Sequence, residues 1–182
     1  MTFSAEHFSQ RLDVCLNFWF EHGLDRDHGG LLTSLDSQGQ VVDTDKAIWM
    51  QGRAAWMFAH AARTVFCDEE IRQRWQVAAQ SAADFLLACP RTPQGRLAFL
   101  VTREGQALRY RRYAFSEMFA AMGLAELSVL TQDEDLAAQA RHFATIFVAH
   151  DGDAGRFPPM WEEDQRPTRS LATPLMQLCL SQ

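Results

Sequence analysis

The chain has 182 residues, 47% of them hydrophobic and 22% charged, which is the balance of a soluble globular domain with a real core and not of a disordered one. Its formal net charge of −6 argues against a nucleic acid or an anionic membrane as partner, because either selects a basic face, and leaves a small or neutral ligand as the expectation. Cys15, Cys67, Cys89 and Cys179 show no C-x-x-C spacing, so neither a zinc site nor a disulfide framework is indicated.

Residues Met1 to Arg11 carry charges and no apolar run of signal-peptide length, and no later stretch has the length of a membrane span, so a cytoplasmic protein is expected. A first helix is predicted from Ser4 to His22. A segment then opens at Gly30 (G-L-L-T-S-L-D-S-Q-G-Q-V-V) and turns at Ser37 to Gly39; a second, Gly95 to Leu108, turns at Arg103 to Gly105. Both read as short β-hairpins. A weaker third segment runs from Gly155 to Trp161, so the pattern recurs about every 60–65 residues.

Between the hairpins, apolar residues recur at helical period in pairs of stretches: Lys46 to Phe66 with Glu69 to Cys89, then Tyr113 to Leu130 with Asp133 to Ala149. A last helix is predicted from Ser170 to Leu180. Short breaks near Asp68 and Asp133 make each pair antiparallel, which puts the hairpins on one rim. Six helices in three such units belong to a solenoid or to a closed ring of helical hairpins, two arrangements that the repeat does not separate.

The second predicted helix contains Ile48-Trp49-Met50-Gln51-Gly52-Arg53-Ala54-Ala55-Trp56, apolar on every side except for one glutamine and one arginine. Such a helix is buried on both faces, so a buried Arg53 is expected, held by a carboxylate strut or by a ligand. Trp49, Arg53 and Trp56 stand at i, i+4 and i+7 and share a face, where indole rings offer stacking surface and a guanidinium offers donors to sugar hydroxyls. Gly52 permits close approach of a neighbouring helix. Asp25-x-Asp27-x-x-Gly30 partly mimics a calcium loop, but a turn capped by the Asp25 side chain is the preferred reading, and no metal is expected. Ser116 and Glu117 open the fourth helix on the hairpin rim, where they cap it or bond a ligand. Arg109, Arg111 and Arg112 read as a solvated basic face, and no P-loop, dinucleotide or serine-hydrolase motif is present.

Five stretches in order, F-W-F-E-H at Phe18 to His22, D-R-D-H-G-G at Asp25 to Gly30, D-T-D-K at Asp43 to Lys46, I-W-M-Q-G-R at Ile48 to Arg53 and F-S-E-M-F at Phe115 to Phe119, resemble the N-acylglucosamine 2-epimerase family. Leu171 to Met176 is similar to its A-x-P-M segment. The resemblance implies an all-α (α/α)6 barrel of twelve helices, of which residues 1–182 would form the N-terminal half. It implies a cofactor-free isomerase that interconverts N-acyl-D-glucosamine and N-acyl-D-mannosamine by removing and returning the C2 proton. Arg53 matches the family's active-site arginine. Trp49, Gln51, Trp56, Ser116 and Glu117 are the expected substrate contacts, and a homodimer is expected for the full-length form. The family's catalytic histidines belong to the other half of the barrel; His7, His22, His28, His60, His142 and His150 do not stand at their positions. Phe115, where disaccharide-acting members tend to carry tyrosine, leans toward the acylglucosamine branch. The rival expectation is a non-catalytic helical-repeat module that binds a partner through the face a second half would cover.

Overall fold

The computed structural model describes residues 4–65, 67–110, 113–151 and 171–181. The third glycine-led segment at 155–161, together with Arg111 and Arg112, lies outside them. The described residues form six α-helices and five short strands. Helix α1 (Ala5–Phe18) is capped by Ser4, whose Oγ accepts the His7 N–H at 3.2 Å. The helix expected to continue to His22 gives way to a π-turn at Trp19–Gly23. The extra residue of that turn leaves Phe20 and Gly23 buried while Glu21 and His22 face out.

The two expected hairpins are present. Strands β1 (Ser34–Leu35) and β2 (Val41–Asp43) pair antiparallel around a turn in which Asp36 Oδ1 accepts the N–H groups of Gln38 and Gln40, both at 2.8 Å. Gly39 supplies the positive φ (82°) that the turn requires. Strands β4 (Leu100–Val101) and β5 (Ala107–Arg109) form the second hairpin. Strand β3 (Lys46–Ala47) joins it, with Lys46 opposite Val101 and Ala47 opposite Leu100. Residues 46–47 were expected to begin a helix; their backbone is claimed by β4 instead, and the Ile48 N–H donates to Phe99 O at 3.0 Å, so helix α2 (Ile48–Thr64) starts only there. This pairing brings both hairpins together on one rim.

Helix α3 (Glu69–Ala88) returns antiparallel to α2, and α4 (Phe115–Thr131) is followed by α5 (Glu134–Asp151) after a left-handed Gln132 and an Asp133 whose Oδ1 accepts two N–H groups of the next turn. Helix α6 (Ala172–Leu180) packs on α4 and α5. The core is alanine-rich: Ala54, Ala55, Ala59 and Ala62 of α2 and Ala78, Ala79, Ala82 and Ala83 of α3 are buried, filled out by Phe58, Leu86, Leu124, Leu127 and Phe143. Small side chains at these interfaces let helix axes come close, and each buried ring or leucine contributes roughly 1.5–3 kcal/mol. Among the described residues no helix is long and apolar enough to cross a membrane.

Candidate active site

Helices α2 and α4 touch backbone to backbone. A Cβ added to Gly52 would fall inside contact distance of the Phe119 carbonyl, and one added to Gly123 would strike the Gly52 carbonyl oxygen. The close approach expected of Gly52 is therefore present, with a second glycine as its counterpart. Its consequence is local: the first turns of the two helices are held side by side, and with them Trp49 and Arg53 of α2 and Phe115 and Phe119 of α4.

These residues enclose a pocket of about 480 Å³, completed by Phe99 of the second hairpin, Tyr113 before α4 and Met176 of α6. The Arg53 guanidinium lies over the Trp49 ring at 5.5 Å and the Phe119 ring at 5.4 Å, and those two rings stand 5.8 Å apart at 45°. Opposite them Tyr113 and Phe115 stack at 5.2 Å and 16°. Contrary to the expected burial, Arg53 is exposed. Helix α2 buries two sides through small residues against α3 and α4, and the tryptophans that make it look apolar all round sit on its third, open side. Among the described residues no carboxylate pairs with Arg53. Five donors on a planar cation beside aromatic faces can hold the oxygens of a ring-shaped polyol or a developing oxyanion.

Trp56 stacks on His60 at 4.9 Å and 10°, and lines a neighbouring cavity of about 360 Å³ that shares only Arg53 with the first. Gln51, Ser116 and Glu117 lie behind the wall, buried. Both ends of the Gln51 amide are on Leu31: Oε1 accepts its N–H and Nε2 donates to its carbonyl, each at 2.8 Å. Ser116 Oγ donates to Ala98 O at 3.0 Å. Glu117 Oε1 accepts from Arg96 Nε at 2.6 Å and from the Leu97 N–H at 2.9 Å, while Oε2 is buried with no partner among the described residues. Polar side chains on a helix face that packs against a hairpin meet backbone before solvent, so these three brace the hairpin segments in this structure and do not open into the pocket. The sequence reading did not anticipate Phe99, Tyr113, Phe119 and Met176 as wall; aromatic residues bunched within one turn of a helix start were the available signal.

A second cluster was also missed. The Lys46 ammonium and the Asp25 carboxylate are fully buried and 2.8 Å apart, and Lys46 Nζ also donates to Gly29 O at 2.7 Å and Arg103 O at 2.9 Å. Arg103 grips Asp25 with two bonds of 2.9 Å and reaches Asp27 at 3.0 Å. Asp25 Oδ1 accepts the N–H groups of Asp27 and His28, which is the expected side-chain-capped turn. Burial alone would raise the Asp25 pKa, but the hydrogen bonds from Arg103 and Lys46 and the Lys46 charge hold it well below the usual carboxylate range. Burial lowers the Lys46 pKa against the pull of Asp25. With two cations on Asp25 there is no room for calcium, and among the described residues no His, Cys, Asp or Glu group could hold a metal.

The sequence matches the N-acylglucosamine 2-epimerase (GlcNAc 2-epimerase) family over residues 29–179. It is 38% identical over 125 residues to the N-acylglucosamine 2-epimerase of Homo sapiens, covering 67% of this chain and 29% of that protein. Against the Mus musculus N-acylglucosamine 2-epimerase it is 32% identical over 175 residues, covering 94% of this chain and 41% of the relative. Among solved structures it resembles the cellobiose 2-epimerase of Spirochaeta thermophila, with a TM-score of 0.65, 20% identity, and 79% of this chain on 36% of that one. The cellobiose 2-epimerase of Bacillus thermoamylovorans gives 0.63 at 22% identity, with 78% of this chain on 37% of that one. The shared fold is the (α/α)6 barrel, of which this chain builds a part, and it spans well under half the length of these relatives. On that match and on the helix pairs that carry it, the chain belongs to the N-acylglucosamine 2-epimerase family.

Proposed function

We propose that this chain is the substrate-holding part of a sugar 2-epimerase that interconverts N-acyl-D-glucosamine and N-acyl-D-mannosamine. A base removes the C2 proton of the open-chain sugar, charge develops on the aldehyde oxygen, and the enediolate is reprotonated on either face. The C2 proton is too weakly acidic to leave unless that oxyanion is stabilised. Arg53 is the residue suited to it, and Trp49 with the opposite aromatic wall takes the apolar side of the sugar. The carrying observation is an exposed guanidinium set over two rings of one pocket, with no carboxylate partner among the described residues. The proton-transferring groups are assigned to the other half of the barrel. The test is incubation of the full-length form, with both halves of the barrel present, with N-acetylmannosamine in deuterated water. Deuterium at C2 of both epimers is expected, and Arg53→Ala should lower kcat/KM by roughly 10²–10³. No exchange into any 2-acylamino sugar sinks the enzyme reading, and full turnover by Arg53→Ala sinks the site.

A second reading, a non-catalytic binding module, is favoured by one feature: Leu171, Leu175 and Leu178, along one side of α6, are all more than half exposed. The same exchange experiment separates the two.

A further inference from the structure

Arg96 sits one layer behind the pocket wall and is itself mostly buried. Its guanidinium reaches in three directions. Nε donates to Glu117 Oε1 at 2.6 Å, Nη2 donates to the Tyr113 carbonyl at 3.1 Å, and Nη1 lies 3.3 and 3.4 Å from the two ring nitrogens of His150. Glu117 Oε1 also takes the Leu97 N–H, and Ser116 Oγ takes hold of Ala98 O, so the segment from Arg96 to Ala98 is stitched to the first turn of α4. Each stitch ends on or beside a wall residue: Tyr113 itself, Phe115 next to Ser116, and Phe99 next to Ala98.

Tyr113 precedes α4, outside any helix or strand, and is 38% exposed. Its ring stacks on Phe115, and its carbonyl accepts a hydrogen bond from Arg96. We propose that Arg96, charge-paired with Glu117, is the positioning residue that sets the Tyr113–Phe115 side of the pocket for the sugar, an inference that rests on the sugar-site reading above. Arginine suits the role because one rigid fork bonds the buried carboxylate and the carbonyl together. A lysine has one nitrogen and satisfies the carboxylate first.

Arg96→Lys is therefore the decisive variant, because it keeps a cation for Glu117 and removes the bond to the Tyr113 carbonyl. The chain has two tyrosines, Tyr110 and Tyr113, so fluorotyrosine labelling gives two fluorine resonances, assigned by Tyr110→Phe. In Arg96→Lys the Tyr113 resonance is expected to move or broaden while that of Tyr110 stays. In the full-length form, KM for N-acetylmannosamine should rise about tenfold with kcat within about twofold, the mark of lost ground-state binding and not of a smaller folded fraction. Tyr113→Ala should raise KM similarly, and the double variant should add little further, as for two residues acting through one contact. The proposal is overturned if Arg96→Lys leaves resonance and KM at wild-type values, if it lowers kcat alone, or if Tyr113→Ala leaves KM unchanged. A protein that turns over no acylamino sugar but shows the Tyr113 shift refutes the epimerase reading and leaves the positioning geometry standing.

Discussion

Two clusters on the same rim use the same residue types to opposite ends. Around Asp25, two cations and one carboxylate are closed on each other, with Lys46 and Asp25 both inaccessible to solvent. Around Arg53, a cation of the same kind is held by aromatic faces and faces open space. In the first cluster each charge has a protein partner and the product is structure: Lys46 reaches Gly29 and Arg103 carbonyls and so fastens the turn at 25–30 to the second hairpin. In the second the charge is left available, and availability is what binding needs. The difference lies in backbone geometry. Strand β3 carries Lys46 inward beneath the hairpins, whereas the open side of α2 carries Arg53 outward.

The largest expected effect breaks the first cluster. Lys46→Met removes one partner of a buried pair and leaves Asp25 with Arg103 alone, and a loss of about 3–5 kcal/mol in urea unfolding is expected. Arg53→Ala, in an exposed position without a carboxylate partner among the described residues, should stay within about 0.5 kcal/mol of wild type. If the two variants lose similar stability, the division between a structural and an available cation is wrong.

The backbone contact between α2 and α4 offers a sharper break, this time of the pocket. Gly52→Ala puts a methyl group where the Phe119 carbonyl already lies, so the helices must separate. A cost of about 1–3 kcal/mol is expected, as for other overpacked cores. Because Arg53 is one residue away and Phe119 is the residue struck, the Arg53–Phe119 geometry should open with it, and sugar binding by calorimetry should weaken more than the stability loss explains. Retained binding in a destabilised Gly52→Ala protein would show that the pocket does not depend on this crossing.

How much of this could be read from the sequence follows from which signals are local. The helix pairs were legible because their apolar period is long and repeated, and both hairpins because Gly39 and Gly105 mark their turns. The grouping of Trp49 with Arg53 was legible because i, i+4 spacing fixes a shared face. Strand β3 was not, since two residues that look like a helix start are drawn into a ladder by β4, more than fifty residues away in the chain. The same non-locality hid the Asp25–Lys46–Arg103 cluster, whose members come from three segments. The burial of Gln51, Ser116 and Glu117 depends on where the hairpin segments land against α2 and α4. Arg53 was misread as buried because composition reports that a face is apolar and not whether anything packs on it.

The last test is a change with pH, a narrowing of a stability difference on going into acid, and it asks whether the Asp25 cluster is held by charge or by shape. The Asp25 carboxyl titrates well below its ordinary value of 3.8 in the folded protein, because Arg103 and Lys46 outweigh the opposing effect of burial. The unfolded chain therefore binds the proton more readily, and the stabilisation from Asp25 is fully present above that ordinary value and is lost as pH falls from it toward the folded pKa. Asp25→Asn has no such carboxyl to titrate. The stability gap between wild type and Asp25→Asn should be widest at about pH 6 and should narrow by about pH 3, with the other carboxylates common to both proteins and cancelling in the difference. Arg53→Ala carries no comparable carboxylate contact, so its gap from wild type should stay flat over the same range. A gap for Asp25→Asn that is equally flat would mean that the amide fails for reasons of hydrogen-bond geometry, with Lys46 and Arg103 indifferent to the charge they surround.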